Sequence, residues 1–370
     1  MKILICIPCL LVGGTEVQTL NLVEALCGAG HSVTVACYFE FTESVVRRFE
    51  KTGCKVVCFS KTGERIFGWK SIVFLFHNLR YVVKRVQPDV AHVQYMTPGA
   101  IPIVLLKLLR VKTVLATAHT SADIYPSLKL VHFIQKRCVK AFTCITKLAE
   151  ESFFGTSQLY TPQTQLKKRN HFTIYNALPS CISIRDKKKA FSEHLTLGVV
   201  SRLERIKGMD LVIPAFEKVN KQYPETRLLI VGDGSLREMM HKQAIELGVE
   251  DSIDWLGRQG QDTIEKCYDK VDILLMPSRS EGFGLTAIEG MARGAVLVAA
   301  NVGGLPEVVA DREVGLLHDP ENVEDIAQNI NSLVTNRQML QQYSDRAIEY
   351  VRRFDHKNYT DNFLDLYSKL

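Results

Sequence analysis

In the stretch PSRSEGFGLTAIEGMARG two carboxylates, Glu281 and Glu289, bracket Gly282, Phe283, Gly284 and Leu285. The glycines let the backbone pass close to a ligand and turn its N–H groups inward. With the helix expected to begin near Thr286, those amides form an anion site suited to a phosphate. The flanking carboxylates cannot bind that phosphate, and they suit hydroxyl donors of a sugar or a ribose instead. An anion site beside polyol acceptors describes a nucleotide sugar. A second element, VVSRLERIKGMD, places Arg202 and Lys207 across a turn that ends at Gly208, with Arg205 in the same field. A planar fork and a point charge together can neutralise a diphosphate without a metal. Gly232-Asp233-Gly234 forms a further strand-to-helix turn, and Arg258, after IDWLG, is a candidate for contact with the base.

The N-terminus, KILICIPCLLVGGTEVQTL, carries two overlapping signals. Cys6 and Cys9 have redox-dithiol spacing, but a low-pKa thiolate belongs at the start of a helix, and Cys6 falls inside a strand pattern. A zinc site would need a second Cys or His pair at matching spacing, and the sequence has none. Gly13 and Gly14 follow the first strand without completing G-x-G-x-x-G, and no acidic residue ends a following strand to hold a dinucleotide ribose. Thr15 and Gln18 fit a capping box for the next helix. His119 ends the strand TVLATAH, where strand ends meet a cleft.

Strand–helix alternation must position these groups. KILICI, SVTVACYF, KVVCFS, VAHVQ, TVLATAH and AFTCIT read as strands separated by helices, the pattern of a parallel, doubly wound sheet. The polar run Arg185-Asp186-Lys187-Lys188-Lys189 reads as a linker, after which LTLGVV, TRLLIVGDG, IDWLG, DILLMPS and AVLVAA repeat the alternation. At 370 residues, two domains are expected, 1–187 and 188–352. Charge divides the same way. Residues 1–185 hold 23 Lys+Arg against 10 Asp+Glu, and residues 186–370 hold 23 against 30. Mean hydropathy near zero and no apolar run of about 18 residues predict a cytoplasmic protein. The ten cysteines fit buried small hydrophobes better than a disulfide framework.

Five motifs in order, GGTE, SRLERIKG, VGDG, EGFGLTAIE and NVGGLPEVV with VGLLHDP, resemble the family-4 retaining glycosyltransferases of GT-B fold, from Met1 to the final helix. The resemblance implies an α/β architecture of two Rossmann-like domains facing across a cleft, with a C-terminal helix from about 353 to 370 packing back on the first. It further implies that Arg202 and Lys207 hold the donor diphosphate, Glu289 the ribose and Glu281 the transferred sugar. Amides of Phe283, Gly284 and Leu285 would contact phosphate or sugar, with Gly14 over the β-phosphate and His119 beside the sugar. Transfer in such enzymes keeps the anomeric configuration, needs no metal or other cofactor, and hands the acceptor's proton to the departing diphosphate. IYNALP departs from the family pattern after Asn176, so that segment receives no contact.

The two glutamates are not a hydrolase acid/base pair, which would oppose each other across one glycosidic bond. A hexosyltransferase using a UDP- or GDP-sugar, in synthesis of bacterial surface polysaccharide, is the expectation. A sugar-nucleotide epimerase of similar fold and a non-catalytic nucleotide-binding or redox protein are the alternatives. The segment Trp69–Arg85 mixes Trp69, Phe74, Phe76 and Tyr81 with Lys70, Arg80, Lys84 and Arg85. That composition suits an anionic inner membrane face; the family resemblance implies a glycan or lipid-linked glycan acceptor, and no nucleic-acid partner is expected.

Overall fold

A computed structural model describes residues 1–61, 63–95, 100–122, 125 and 127–370. The chain forms two compact units, Met1–Ala177 together with His356–Leu370, and Leu178–Asp355. Each is an open parallel sheet flanked by helices, the two-domain Rossmann-like α/β organisation.

The first unit contains β1 (Lys2–Ile7), β2 (Ser32–Cys37), β3 (Lys55–Cys58), β4 (Val90–Tyr95), β5 (Thr113–Ala118), β6 (Ala141–Cys144) and β7 (His171–Thr173). They pair in the order β3-β2-β1-β4-β5-β6-β7, all parallel. Ile3 through Ile7 are fully buried, a continuous apolar run instead of an alternation, because helices cover both faces. Helices Gly68–Val86, Ala100–Leu108, Leu128–Cys138 and Lys147–Phe154 pack on one face, and Gly14–Gly28, Glu43–Glu50 and His356–Ser368 on the other. The C-terminal helix is tied down by polar contacts as well: Tyr359 donates to the Gln18 carbonyl at 3.0 Å, and the Tyr367 hydroxyl meets His92 Nδ1 at 2.9 Å.

The second unit contains β8 (Thr196–Val200), β9 (Arg227–Val231), β10 (Ile253–Gly257), β11 (Ile273–Met276), β12 (Val296–Ala300) and β13 (Gly315–His318) in the order β10-β9-β8-β11-β12-β13, again all parallel. β8 connects to β9 on one side while β11, its other neighbour, connects to β12 on the far side. Loops leaving the carboxyl ends of such a pair diverge and open a crevice.

Three expectations change. The run at residues 185–189 is anchored at both ends, although Asp186, Lys187 and Lys188 between them are exposed. Lys189 is only 4% exposed, donates to the Val271 and Asp269 carbonyls at 2.5 and 3.0 Å, and pairs with Asp272 at 3.5 Å. Arg185 reaches Asp269 at 3.0 Å. Those charges satisfy carbonyls and carboxylates of the second unit, so the division falls after Ala177 and not after 187. Phe354 packs edge-to-face on Phe283 at 5.5 Å, which keeps it in the second unit and starts the return at His356 instead of 353. Thr15 caps nothing: the helix Gly14–Gly28 has Gly13 at its N-cap and no side-chain cap bond. Gln18 instead donates to the Ala177 carbonyl at 2.7 Å and accepts from its N–H at 2.9 Å. A buried peptide beyond the last strand must find partners, and that amide supplies both.

Candidate active site

The loops that carry SRLERIKG and EGFG follow β8 and β11, the adjacent strands at the second unit's switch point. Backbone contacts lock them together. A Cβ on Gly208, whose φ is +67°, would lie 1.8 Å from the Pro277 carbonyl oxygen. A Cβ on Gly303, with φ +53°, would lie 1.9 Å from that of Glu281. Gly232 meets the Ser201 carbonyl at 1.8 Å in the same sense, and its N–H donates to Gly257 at 2.8 Å. Gly232 is therefore required by loop-to-loop packing, a structural reason different from the ligand contact expected of it.

Across this joint Lys207 Nζ donates to Glu281 Oε2 at 2.6 Å, both side chains mostly buried. The cation and the carboxylate that sequence placed in one site are thus brought together over 74 intervening positions. Arg202 is exposed and makes no ion pair among the described residues. Gly284, at φ +94°, precedes the helix Leu285–Ala292, whose N-terminus has no side-chain cap. The Phe283 ring is buried, which leaves its amide as the group available on that loop. Positive charge and an uncapped helix start converge where an anion would sit.

Glu289 lies one helix turn further along. Burial pushes its carboxyl above the ordinary range, and the Tyr268 hydroxyl, donating to Oε2, opposes that shift. Arg258 is exposed at the carboxyl end of β10, the edge strand two places from β8. It stands apart from the Lys207–Glu281 pair.

Two residues escaped the sequence reading. Tyr268 fixes Glu289 from the helix Gln261–Lys270. Arg279 forks onto both oxygens of Asp210 at 2.6 and 2.9 Å and also pairs with Glu321. Its N–H donates to the Ile206 carbonyl at 2.9 Å. Burial alone would raise the Asp210 carboxyl, but hydrogen bonds from Arg279 hold it below the usual range. Arg279 is the strut between the Lys207 turn and the Glu281 loop. Its only signal in sequence was proximity to Glu281.

Gly13, Gly14 and His119 belong to the first unit. Glu16 folds back on the glycine pair: its Oε2 would lie 2.6 Å from a Cβ at Gly13, and its Oε1 accepts from Cys9 Sγ at 3.2 Å. The loop expected to receive a phosphate is faced here by a carboxylate. Burial pushes Cys6 up to about 12, and burial with the Glu16 charge pushes Cys9 up to about 12. Neither thiol is a ready thiolate, which removes the physical basis of the redox reading.

His119 is buried at the end of β5, and its Nε2 meets Gln94 Oε1 at 2.7 Å. Gln94 Nε2 and Thr120 Oγ1 are buried with no partner among the described residues. One rung below, His92 Nε2 meets Thr117 Oγ1 at 2.6 Å, and Thr117 meets Thr143 at 2.6 Å. Burial pushes His119 down to about 4, and burial with the nearby His119 pushes His92 down to about 3. Both are neutral in the fold, whereas an unfolded imidazole titrates near 6.5. The unfolded chain thus binds more protons below that value, and stability falls as pH drops from 6.5 toward 4. The expected slope is ~1.4 kcal/mol per imidazole per pH unit. Melting curves between pH 7 and pH 5 read it directly, and His92→Gln should flatten the slope. An unchanged slope in that variant would clear His92 of the effect.

Residues 182–369 match the family described as Glycosyl transferases group 1, and residues 12–151 match Glycosyltransferase Family 4. A D-inositol 3-phosphate glycosyltransferase of Mycobacteroides abscessus is 35% identical over 183 residues, 48% of this chain but only 40% of that relative's length. The N-acetyl-alpha-D-glucosaminyl L-malate synthase of Bacillus anthracis is 25% identical over 365 residues, covering 95% of this chain and 92% of its own. Among solved structures, HepE of Anabaena in complex with UDP superposes with a TM-score of 0.78 at 18% identity over the whole of both chains. The lipopolysaccharide outer core galactosyltransferase WaaB does so at 0.73, also at 18% and over both whole chains.

Proposed function

This chain belongs to the glycosyl transferases group 1, the family-4 glycosyltransferases of GT-B fold, and from that premise we propose that it moves a hexose from a UDP- or GDP-sugar to a glycan acceptor. The observation that carries the reading is the Lys207–Glu281 pair at 2.6 Å beside the uncapped start of the helix Leu285–Ala292. HepE of Anabaena was solved with UDP and glucose, ligands of the chemistry this arrangement suits.

In the proposed reaction, an arriving diphosphate exchanges places with Glu281 as the partner of Lys207. Arg202, Lys207 and the helix amides then neutralise it, while Glu281, released, accepts hydroxyls of the transferred sugar and Glu289 those of the ribose. The anomeric carbon–phosphate oxygen bond breaks as the acceptor hydroxyl bonds to that carbon on the same face. The acceptor's proton passes to the departing phosphate oxygen, so configuration is retained and no metal takes part. The protein contributes positioning and electrostatic stabilisation of the leaving group. His119 and the Gly13–Gly14 loop take the parts the family resemblance implies, with His119 acting as a neutral hydrogen-bonding group. A lipid-linked acceptor in bacterial surface polysaccharide synthesis, met at the membrane through the helix Gly68–Val86, completes the proposal.

Thermal-shift screening against a panel of nucleotide sugars, followed by transfer in EDTA with the product anomer read by NMR, tests it. One donor should raise the melting temperature and yield a retained linkage with metal chelated. A donor converted to its epimer with no acceptor present would favour the epimerase reading.

A further inference from the structure

The helices Gly68–Val86, Ala100–Leu108 and Leu128–Cys138 follow one another in the chain and line the same face of the first unit's sheet. Together they contain eight Lys or Arg and no Asp or Glu. The helices Gly14–Gly28, Glu43–Glu50 and His356–Ser368, on the opposite face of that sheet, hold six acidic residues and three basic ones. The fourth helix on the first of these faces, Lys147–Phe154, adds Lys147, Glu150 and Glu151, so the carboxylate-free surface is that of the three helices.

Apolar side chains stand among those cations. Trp69 is 70% exposed, Leu108 67%, Leu130 55% and Phe133 60%. They are not the stripe that packs inward, since Leu75, Leu79, Ile103, Leu106, Val131 and Ile134 already fill that role. The exposed set is surplus to the fold. Cations alone would suit a nucleic acid, whose phosphates have no use for Leu108 or Leu130. A second copy of the three helices would set positive charge against positive charge with no carboxylate among them to answer it. A leaflet of anionic lipid answers both features, with headgroups for the cations and the acyl boundary for the aromatic and aliphatic tips.

We propose that this three-helix face docks the chain on an anionic lipid leaflet, Trp69, Leu130 and Phe133 entering the interface while Lys70, Lys136 and Arg137 meet headgroups. The proposal extends the membrane reading of the first helix to the whole face, and it stands apart from the donor-site assignment.

The full chain would be sedimented with vesicles of equal phosphatidylcholine and phosphatidylglycerol, and with phosphatidylcholine vesicles alone. Binding is expected to the first, about tenfold weaker to the second, and sensitive to salt. The double change Leu130→Ser/Phe133→Ser, on the third helix, is expected to weaken binding to the anionic vesicles about tenfold with the melting temperature unchanged. Emission of Trp69, read in a Trp255→Phe background, should move to the blue on binding. Normal vesicle binding by the third-helix variant, together with loss in Trp69→Ser, would overturn the face and leave the single helix. Equal binding to both vesicle types would overturn both. A dimer that dissociates in the third-helix variant, or DNA binding without vesicle binding, would assign the face to another partner and overturn the lipid proposal.

Discussion

Lys207→Ala is expected to lower kcat/KM for transfer by about 10²–10³-fold, or ~3–4 kcal/mol of transition-state stabilisation. Negative charge grows on the departing diphosphate as the sugar bond breaks, and Lys207 is the cation buried closest to the carboxylate expected to hold that sugar. In the resting protein its ammonium is already fixed on Glu281, so little reorganisation is needed when phosphate replaces the carboxylate. The ground state should suffer less. The pair retains partial solvent contact, with side chains 22% and 16% exposed, so folding stability is expected to change by about 1 kcal/mol or less. Glu281→Ala should lose activity comparably, through the sugar hydroxyls and through an ammonium left unguided. Steady-state transfer assays beside melting curves separate the two effects. Full activity in either variant would remove these residues from the site.

A second large effect is expected at Gly208. Alanine there meets two penalties: a left-handed φ of +67° and a Cβ 1.8 Å from the Pro277 carbonyl oxygen. The left-handed backbone costs ~1–2 kcal/mol for a residue with a Cβ. The steric conflict is with backbone, so relief requires the β8 and β11 loops to separate, and the total should reach about 3 kcal/mol or more. Gly248 supplies the internal control, because its φ is +69° and nothing lies within 4 Å of its Cβ position. Gly248→Ala should therefore show only the backbone penalty, ~1–2 kcal/mol. Urea unfolding of both variants measures the difference. Equal losses would mean that the close approach of the two loops does not hold the site together.

Much of the candidate site is legible in the sequence, because its motifs are local. EGFGLTAIE places a glycine turn, a helix start and two carboxylates within one short segment, and SRLERIKG holds its cations within another. The spacing of such groups is set by covalent neighbours. Partners from distant segments were not legible. Tyr268 on Glu289 and Arg279 on Asp210 join side chains whose meeting depends on which strands lie adjacent. The polar run before the second unit misled for the same reason: Lys189 looks solvated until the Val271 and Asp269 carbonyls it satisfies are brought beside it.

The sequence by itself determined the alternation of strands and helices, the presence of two such sets, and the residue types of the candidate site, because periodicity and local spacing act over a few residues. Only the tertiary structure decided that β8 and β11 lie side by side, that Lys207 rests on Glu281, that Glu16 covers Gly13, and that His119 is buried and neutral. Strand order and burial come from how whole helices pack across a sheet. No short window of sequence contains that information.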